Sequence, residues 1–302
     1  NQARARLLGK SMSTPDHLYR FIFEHENVRG EIAHLDDAYQ AVLARGDYPP
    51  VLQRLLGQAM AAAALLASTI KFRGSLIMQV QGDGPLTLLV AQATSRGGLR
   101  ALARWEGELD EQADVGELCR NGRLVITIDP DNGERYQGVV PLERGTLAGA
   151  LDFYFLTSEQ LPTRVWLTAD GRRAAGMLVQ RLPGESGDKD AWNRAEKLAE
   201  TITDDELLQL SAPEIIHRLY HEEDIRLFDP SPFHFQCGCS RDKVARVLIS
   251  LGYEEMQDVL QEKGEVEVAC DFCNESYRYD SVDIEQLFAD DSASPPVPET
   301  RH

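Results

Sequence analysis

The sequence predicts an α+β protein, in which a mainly antiparallel β core domain with packed helices precedes a helical linker and a small C-terminal domain. Three observations support this fold class. In the N-terminal part, apolar segments occur in pairs joined by short turn sequences. Segments with helical periodicity separate these pairs. Near the C-terminus, four cysteines form two close pairs. We expect the core at residues 12–183, the linker at 184–236 and the cysteine domain at 237–290.

The core strands are predicted from alternating apolar segments and their turns. The clearest turn is Gly82-Asp83-Gly84-Pro85, and the segment Asp129 to Gly133 repeats the arrangement. The predicted strands are Ser75–Gln81, Leu86–Gln92, Leu124–Ile128, Gln137–Leu142, Arg164–Thr168 and Gly176–Leu182. The predicted helices are Ala33–Arg45, Pro50–Thr69 and Leu147–Thr157.

The linker begins where composition changes, at the polar, turn-rich segment Gly184 to Asp188. Three short acidic helices are predicted over Trp192–Ile202, Asp204–Leu210 and Ala212–Tyr220. Short helices depend on tertiary packing for their stability, so we expect this segment to lie against the core. An ordinary helical linker and a regulated one both fit the pattern.

The C-terminal domain is predicted from caps and alternation. Ser240 caps a helix that ends at Leu251 before Gly252. The predicted inner face of this helix is Val244, Val247, Leu248 and Leu251. A helix over Glu255–Gln261, strands over Glu265–Ala269 and Ser276–Tyr279, and a helix from Ser281 to Phe288 follow. About fifty residues with so few apolar side chains bury little surface, so a metal ion would supply much of the folding energy.

Both ends of the chain fall outside this scheme. Residues 1–11 are basic and poor in apolar side chains, and we expect a cloning remnant, with Met12 as the natural start. The proline-containing tail over 291–302 is predicted to be disordered.

Composition indicates a soluble cytoplasmic protein. Hydrophobic content of 43% and charged content of 26% are ordinary for globular domains. The most apolar run, Ala59–Ala67, is too short to span a membrane and indicates a buried helix. The first residues lack the apolar segment of a signal peptide. Five cysteines, an odd number in unequal groups, fit a reducing compartment.

The net charge of −18 is concentrated in the C-terminal part of the chain. Residues 1–183 contain 21 acids and 20 bases, whereas residues 184–302 contain 28 acids and 11 bases. Such a balance opposes binding to nucleic acid or to an anionic membrane, since both need positive charge on the protein.

The four clustered cysteines predict a zinc site. Cys237 and Cys239 form a C-x-C pair, and Cys270 and Cys273 form a C-x-x-C pair. Four thiolates complete one tetrahedral ion, so one zinc per chain is expected and the coordination sphere is closed to catalysis. A purely structural zinc site is one interpretation. The unusual C-x-C spacing raises a second interpretation, in which the same sulfurs are suited to oxidation.

Zinc holds cysteine as thiolate, which is the form that oxidants attack. A sulfenic acid on one cysteine lies within reach of its partner in the same pair. Structural zinc is worth on the order of 10–16 kcal/mol in small domains, whereas whole domains are stable by only about 5–15 kcal/mol. Oxidation of the ligands should therefore unfold the C-terminal domain.

The remaining candidate residues do not predict an enzyme. Cys119 stands alone and is expected to be a small buried apolar residue. His217 and His221 lie four residues apart without a third ligand or a base, so we expect surface or packing roles. The sequence contains no phosphate-binding loop and no G-x-S-x-G motif.

With these residues in view, the chain resembles the heat shock protein 33 family of redox-regulated bacterial chaperones. The resemblance extends in order from about Leu18 to Phe288, ending in the C-x-C and C-x-x-C pairs. The matching segments are Val28-Arg29-Gly30-Glu31, Gln81-Gly82-Asp83-Gly84-Pro85, Glu134-Arg135-Tyr136-Gln137-Gly138-Val139-Val140, Ser158-Glu159-Gln160-Leu161-Pro162-Thr163, Ala175-Gly176-Met177-Leu178-Val179-Gln180 and Arg218-Leu219-Tyr220-His221-Glu222-Glu223.

The resemblance implies an ATP-independent holdase that is largely inactive when reduced and zinc-bound. Oxidants then form the disulfides Cys237–Cys239 and Cys270–Cys273, zinc is released, and the C-terminal domain and linker unfold. The exposed apolar surface of the core and linker binds unfolding client proteins. The active form is commonly a homodimer, and clients pass to ATP-dependent foldase chaperones.

Two other functions stay open on the residues alone. One is an interaction adaptor with a constitutive zinc ribbon, in which oxidant leaves the metal bound. The other is a zinc hydrolase or disulfide oxidoreductase. That function needs an open metal position, or a thioredoxin-like setting for Cys270-Asp271-Phe272-Cys273, which is instead predicted to form a hairpin turn.

Overall fold

The computed structural model describes residues 16–69, 73–142, 145–184 and 188–293. The chain divides into two compact units between Gln236 and Cys237. We call them the N-terminal and C-terminal units and describe each by itself. The predicted remnant at residues 1–11 and the end of the predicted tail lie outside the described residues.

The N-terminal unit combines two antiparallel sheets with helices, as predicted. Its strands are β1 (Asp16–Phe23), β2 (Val28–Leu35), β3 (Gly74–Gln81), β4 (Leu86–Thr94), β5 (Gly98–Trp105), β6 (Arg123–Pro130), β7 (Tyr136–Pro141), β8 (Thr163–Ala169), β9 (Ala174–Arg181), β10 (Ile225–Leu227), β11 (Ser231–Pro232) and β12 (His234–Phe235). Its helices are α1 (Asp37–Leu43), α2 (Pro50–Thr69), α3 (Val115–Cys119), α4 (Leu147–Tyr154), α5 (Ala191–Ala199), α6 (Asp204–Gln209) and α7 (Ala212–Tyr220), with a π-helical turn over Phe155–Glu159.

The first sheet has the order β10-β1-β2-β9-β8, with β11 also paired to β1, and the second has the order β12-β5-β4-β3-β6-β7. Only the short β12–β5 pair is parallel among the described pairs. Helix α2 packs against strands of both sheets, and most of its side chains belong to the main apolar core. This is the helix that the run Ala59–Ala67 predicts.

Helix α2 is long and apolar enough to cross a membrane by length and composition alone. In the structure, 72% of its apolar window is buried inside the protein. The core helix of a soluble protein passes the same test, so this helix is weak evidence for a membrane span.

The six predicted core strands and helix α2 are confirmed, but the predicted helix Ala33–Arg45 is wrong over its first residues. Ala33 to Leu35 belong to β2, which pairs with β1 and β9. The helix begins only at Asp37, because the buried Asp16 carboxylate accepts hydrogen bonds from the Asp36 and Ala38 backbone N–H groups at 2.5 and 2.7 Å. Strands β1, β2, β5, β10, β11 and β12 and helix α3 were not predicted from the sequence.

The three linker helices α5, α6 and α7 lie where the sequence places them, within a few residues, and pack on one face of the first sheet. We call the sheet residues beneath them the linker-covered face; they are Phe21, Phe23, Val28, Ile32, Ala175, Met177 and Val179. The linker contributes Ala195, Ala199, Leu207, Leu208, Ala212, Ile215, Leu219 and Tyr220 to the same cluster. Gly30 leaves room for this packing, since a Cβ there would lie 2.2 Å from the Phe21 ring.

The C-terminal unit contains α8 (Arg241–Leu251), α9 (Tyr253–Lys263), the hairpin β13 (Val266–Ala269) and β14 (Ser276–Tyr279), and α10 (Ser281–Ala293). The predicted inner face of α8 is half wrong: Val244 and Leu248 are buried, but Val247 and Leu251 are 54% and 58% exposed. Ala245 is buried instead, because the apolar core lies on the 244–245–248 side of the helix. Helix α10 extends to Ala293, so the first residues of the predicted disordered tail are helical.

Candidate metal centre

The four cysteines lie at two loops of the C-terminal unit. Cys237 and Cys239 precede α8, whose start is fixed because the Ser240 side chain accepts a hydrogen bond from the Lys243 backbone N–H. Cys270 and Cys273 lie in the turn between β13 and β14. Backbone N–H groups of Cys273 and Asn274 donate to the Cys270 carbonyl in this turn, at 3.3 and 2.8 Å.

The four sulfur atoms are close enough to bind one ion. They all lie within 4.8 Å of one another. The Cys237 and Cys270 sulfurs are 3.6 Å apart, and those of Cys239 and Cys273 are 3.3 Å apart. Tetrahedral zinc–thiolate bonds of about 2.3 Å place sulfurs about 3.8 Å apart, so the set fits such an ion. All four are half-buried thiols outside any disulfide, and the cluster could hold a metal ion.

The electrostatics of the cluster explain why a cation would stabilise it. Burial acts to raise the pKa of Cys237, but hydrogen bonds from Cys239 and from the other two thiols outweigh it and lower that pKa to about 7. Burial and hydrogen bonds with the other thiols raise the pKa of Cys273 to about 12. The four thiols therefore do not all ionise at neutral pH unless a cation compensates their charge.

Two further polar groups surround the cysteines. The Tyr277 hydroxyl on β14 donates a hydrogen bond to the Cys239 sulfur at 3.2 Å. The Lys243 ammonium donates to the Gly238 carbonyl between the first two cysteines. Neither residue was predicted, because no motif marks them: Tyr277 reaches the sulfur only through the register of the hairpin.

The other candidate residues lie apart from this centre. Cys119 is fully buried in the main core, and burial raises its pKa to about 12, which confirms the expected apolar role. His217 and His221 are exposed at the end of α7, with ring centroids 5.9 Å apart. Among the described residues, the four cysteines form the one group of three or more potential ligands that was found.

A second feature of the N-terminal unit is the contact between the linker helices and the first sheet. The Tyr220 ring of α7 lies 5.9 and 5.0 Å from the rings of Phe21 and Phe23, and its hydroxyl donates to the Ala195 carbonyl of α5. These contacts join two linker helices to the linker-covered face. The face is therefore a continuous apolar surface that the linker removes from solvent.

Polar contacts at the edges hold the linker in place. Arg164 of β8 forms ion pairs with Glu196 of α5 at 3.3 Å and with Glu200, the residue after α5, at 3.8 Å. It also pairs with Asp152 of α4 at 3.2 Å. The His34 ring on β2 donates from Nε2 to the Leu207 carbonyl of α6 at 2.9 Å. These residues have no recognisable sequence signal, since each pairs with a distant segment.

Comparison with known proteins gives a consistent result. A family model described as Hsp33 protein matches residues 16–280. The 33 kDa chaperonin of Methylobacillus flagellatus is 51% identical over 288 residues, which cover 94% of this chain and 98% of that protein. The 33 kDa chaperonin of Nitrosococcus oceani is 49% identical over 291 residues, which cover 96% of this chain and 100% of that protein.

A solved structure shows the same fold. The crystal structure of the 33 kDa chaperonin (heat shock protein 33 homolog) from Thermotoga maritima superposes with a TM-score of 0.80 at 23% identity. The match covers 92% of this chain and 99% of that one. The α+β architecture found here is therefore shared with that protein over nearly its whole length.

Proposed function

The chain belongs to the Hsp33 family, and from that premise we propose that it is a redox-regulated, ATP-independent holdase chaperone. The observation that supports this most is the co-occurrence of two features. One is a four-sulfur cluster in a small unit, and the other is an apolar sheet face covered only by short linker helices. Residues 237–290 would be the redox-switch domain, 184–236 the linker and 12–183 the client-binding core.

In the reduced protein, Cys237, Cys239, Cys270 and Cys273 would hold one zinc ion. A bound zinc ion would keep the four sulfurs as thiolates and join the loop before α8 to the hairpin turn. Among the described residues, the apolar core of this unit contains seven buried side chains, which are Val244, Ala245, Leu248, Met256, Val266, Tyr279 and Ile284. So small a core makes the fold of this unit dependent on its metal ligands.

Peroxide would oxidise these sulfurs in pairs. A thiolate attacks peroxide, the O–O bond breaks, and the sulfur becomes a sulfenic acid while hydroxide leaves. The partner thiolate then attacks that sulfur, forming the disulfide and releasing a second hydroxide. Disulfides Cys237–Cys239 and Cys270–Cys273 would use all four ligands, so the unit would lose its metal and its fold.

Unfolding of the C-terminal unit would then release the linker. Gln236 is joined directly to Cys237, so a folded C-terminal unit restrains the end of the linker segment. The linker helices are only six to nine residues long and depend on packing against the sheet. Their release would expose the linker-covered face, whose phenylalanine, isoleucine, valine and methionine side chains suit apolar segments of unfolded proteins.

The proposed partners follow from this surface. Unfolded or partly folded client proteins would bind it, a homodimer would be the active form, and ATP-dependent foldase chaperones would receive the clients. The net charge of −18 opposes nucleic acid and anionic membranes as partners. We propose a cytoplasmic location, where reduced thiols are the resting state.

The test compares aggregation suppression by the same protein in two redox states. The reduced, zinc-loaded protein should fail to prevent aggregation of a chemically denatured test protein. After peroxide treatment with mild heat it should suppress aggregation, and peptide mass spectrometry should find the two disulfides named above. Equal suppression in both states would contradict redox regulation.

A constitutive zinc-ribbon adaptor is the alternative, because four sulfurs would leave no open position on a bound ion and would also suit a purely structural site. In that case, peroxide should leave the metal bound and should create no suppression. A Cys270→Ser variant should then unfold the C-terminal unit without producing activity.

A further inference from the structure

Tyr277 is placed by the hairpin so that its hydroxyl meets one of the four sulfurs. In the β13–β14 register Tyr277 lies opposite Val268, two residues before Cys270. Its ring packs against the apolar cluster of the C-terminal unit, which fixes its direction. Its hydroxyl donates to the Cys239 sulfur at 3.2 Å. Tyr277 therefore contacts the metal centre without being one of the four ligands.

A hydrogen bond to a thiolate stabilises the negative charge on the sulfur. That charge is the electron pair that attacks an electrophile, so a donor held against the sulfur slows the attack. A net hydrogen bond of ordinary strength changes a rate by about two- to tenfold. This slowing of nucleophilic attack applies only to Cys239 among the four cysteines, because the Tyr277 hydroxyl has one proton to donate.

We propose that Tyr277 is a positioning residue that protects Cys239 from electrophiles while the C-terminal unit is folded. This inference rests on the proposed function, because it assigns Tyr277 a part in the oxidation of the same four cysteines. Peroxide would transfer one oxygen to the Cys239 sulfur as its O–O bond breaks and hydroxide leaves. The Cys237 thiolate would then form the S–S bond and displace a second hydroxide. Tyr277 slows the first of these two steps.

The test is a comparison of the zinc-loaded full chain with the variants Tyr277→Phe and Tyr279→Phe. Phenylalanine at 277 keeps the packed ring and removes only the donor. Tyr279 is the matched control on the same strand, since its hydroxyl donates to the Arg241 carbonyl at 2.9 Å and not to a sulfur. Each protein is treated briefly with iodoacetamide, and peptide mass spectrometry gives the alkylation rate at every cysteine.

Alkylation of Cys239 should be about three- to tenfold faster in Tyr277→Phe than in the wild type, with Cys270 and Cys273 unchanged. In Tyr279→Phe, iodoacetamide should alkylate the four cysteines at the same relative rates as in the wild type. Peroxide oxidation should then show the same change in the share of sulfenic acid trapped at Cys239. Equal Cys239 rates in Tyr277→Phe and wild type would overturn the inference, as would an equal rise in Tyr279→Phe.

The alkylation result does not depend on redox switching, so the two proposals fail separately. If peroxide leaves wild-type zinc bound, the proposed function fails, whatever the alkylation rates. If peroxide releases zinc at the same rate from wild type and Tyr277→Phe, and alkylation also agrees, only the role of Tyr277 fails.

Discussion

His34, which is half-buried, and Glu31, which is fully buried, are ionisable residues on strand β2 whose contributions to stability change with pH in opposite directions. Burial, together with the nearby His17 and Arg173, lowers the pKa of His34 from 6.5 to about 4, against the hydrogen bond to the Leu207 carbonyl. Burial raises the pKa of Glu31 from 4.5 to about 7, against the Ser68 hydroxyl and the charges of nearby arginines. The folded state therefore favours neutral forms of both.

The sign of each effect follows from linkage. Since the His34 pKa is lower in the folded state, its contribution to stability is complete above pH 6.5 and is lost as pH falls toward about 4. Since the Glu31 pKa is raised, its contribution is complete below pH 4.5 and is lost as pH rises through about 7. A variant at His34 separates its effect on the pH dependence of stability from that of Glu31.

We predict that the stability difference between wild type and His34→Gln depends on pH. Between pH 7 and pH 5, wild type should lose about 1–2 kcal/mol relative to the variant, because the wild-type imidazole takes up a proton more readily in the unfolded state than in the folded state. Urea unfolding of the reduced, zinc-loaded proteins at both pH values measures this. A difference that stays constant with pH would show that His34 is not buried as a neutral ring.

Arg164 joins the first sheet to the linker through its ion pairs, and this contact can be tested. The variant Arg164→Gln removes ion pairs to Glu196 and Glu200, which are partly exposed, so its cost should be about 0.5–1 kcal/mol. Proteolysis of the α5–α7 segment in the reduced protein should be about two- to fivefold faster. Arg135→Gln, which breaks an exposed pair with Asp129 away from the linker, is the control and should leave that rate unchanged. Equal rates for all three proteins would contradict a role for Arg164 in holding the linker.

Single residues also show where sequence patterns stop being informative. The spacing of Cys237, Cys239, Cys270 and Cys273 predicts one cluster, and the structure brings the four sulfurs together. Tyr277 and His34 were not predicted, because their contacts depend on hairpin register and on the docking of a distant helix.

Among the helices and strands, the local sequence pattern predicted those that have clear turn residues or a strong apolar periodicity. Strands β3 and β4 around Gly82-Asp83-Gly84-Pro85, and helix α2 after Pro49-Pro50, were predicted nearly to the residue. The end of strand β2, from Ala33 to Leu35, was predicted as helix. The strand is covered on both faces, so it lacks the alternation of apolar and polar residues that marks a half-buried strand. Its identity depends on pairing with β1 and β9, which no local pattern encodes.

Helix α7 contributes a buried side chain to the contact between the linker and the linker-covered face. Ile215 is fully buried against the linker-covered face, so Ile215→Ala should destabilise linker docking by about 2–5 kcal/mol. The reduced protein should then suppress aggregation without oxidant while keeping its zinc. Aggregation assays paired with zinc analysis measure this.

The exposed neighbour His217 supplies the control, since His217→Ala changes the same helix without touching the covered face. It should behave as wild type. An Ile215→Ala protein that docks its linker less tightly by proteolysis, yet stays inactive, would contradict the proposed client surface.

At the scale of the whole molecule, the two units differ in what stabilises them. The N-terminal unit has a large apolar core around α2, whereas the described part of the C-terminal unit has seven buried apolar residues and a cysteine cluster that could hold a metal ion. We therefore expect the fold of the C-terminal unit, and not that of the N-terminal unit, to depend on a bound metal ion.

We predict that a zinc chelator under reducing conditions unfolds the C-terminal unit and leaves the sheets of the N-terminal unit folded. Limited proteolysis should remove residues beyond 236 while a fragment containing both sheets persists. The reason is that metal binding supplies folding energy on the order of 10–16 kcal/mol in such small units. Adding zinc back should restore protection, and a C-terminal unit that resists protease without metal would contradict this dependence.

The most direct test of the account measures zinc release and aggregation suppression on the same samples during graded oxidation. We predict that activity rises in proportion to released zinc and reaches its maximum when one ion per chain is free and both disulfides are complete. Activity that appears while zinc is still bound to wild-type protein, or complete zinc release without activity, would contradict it.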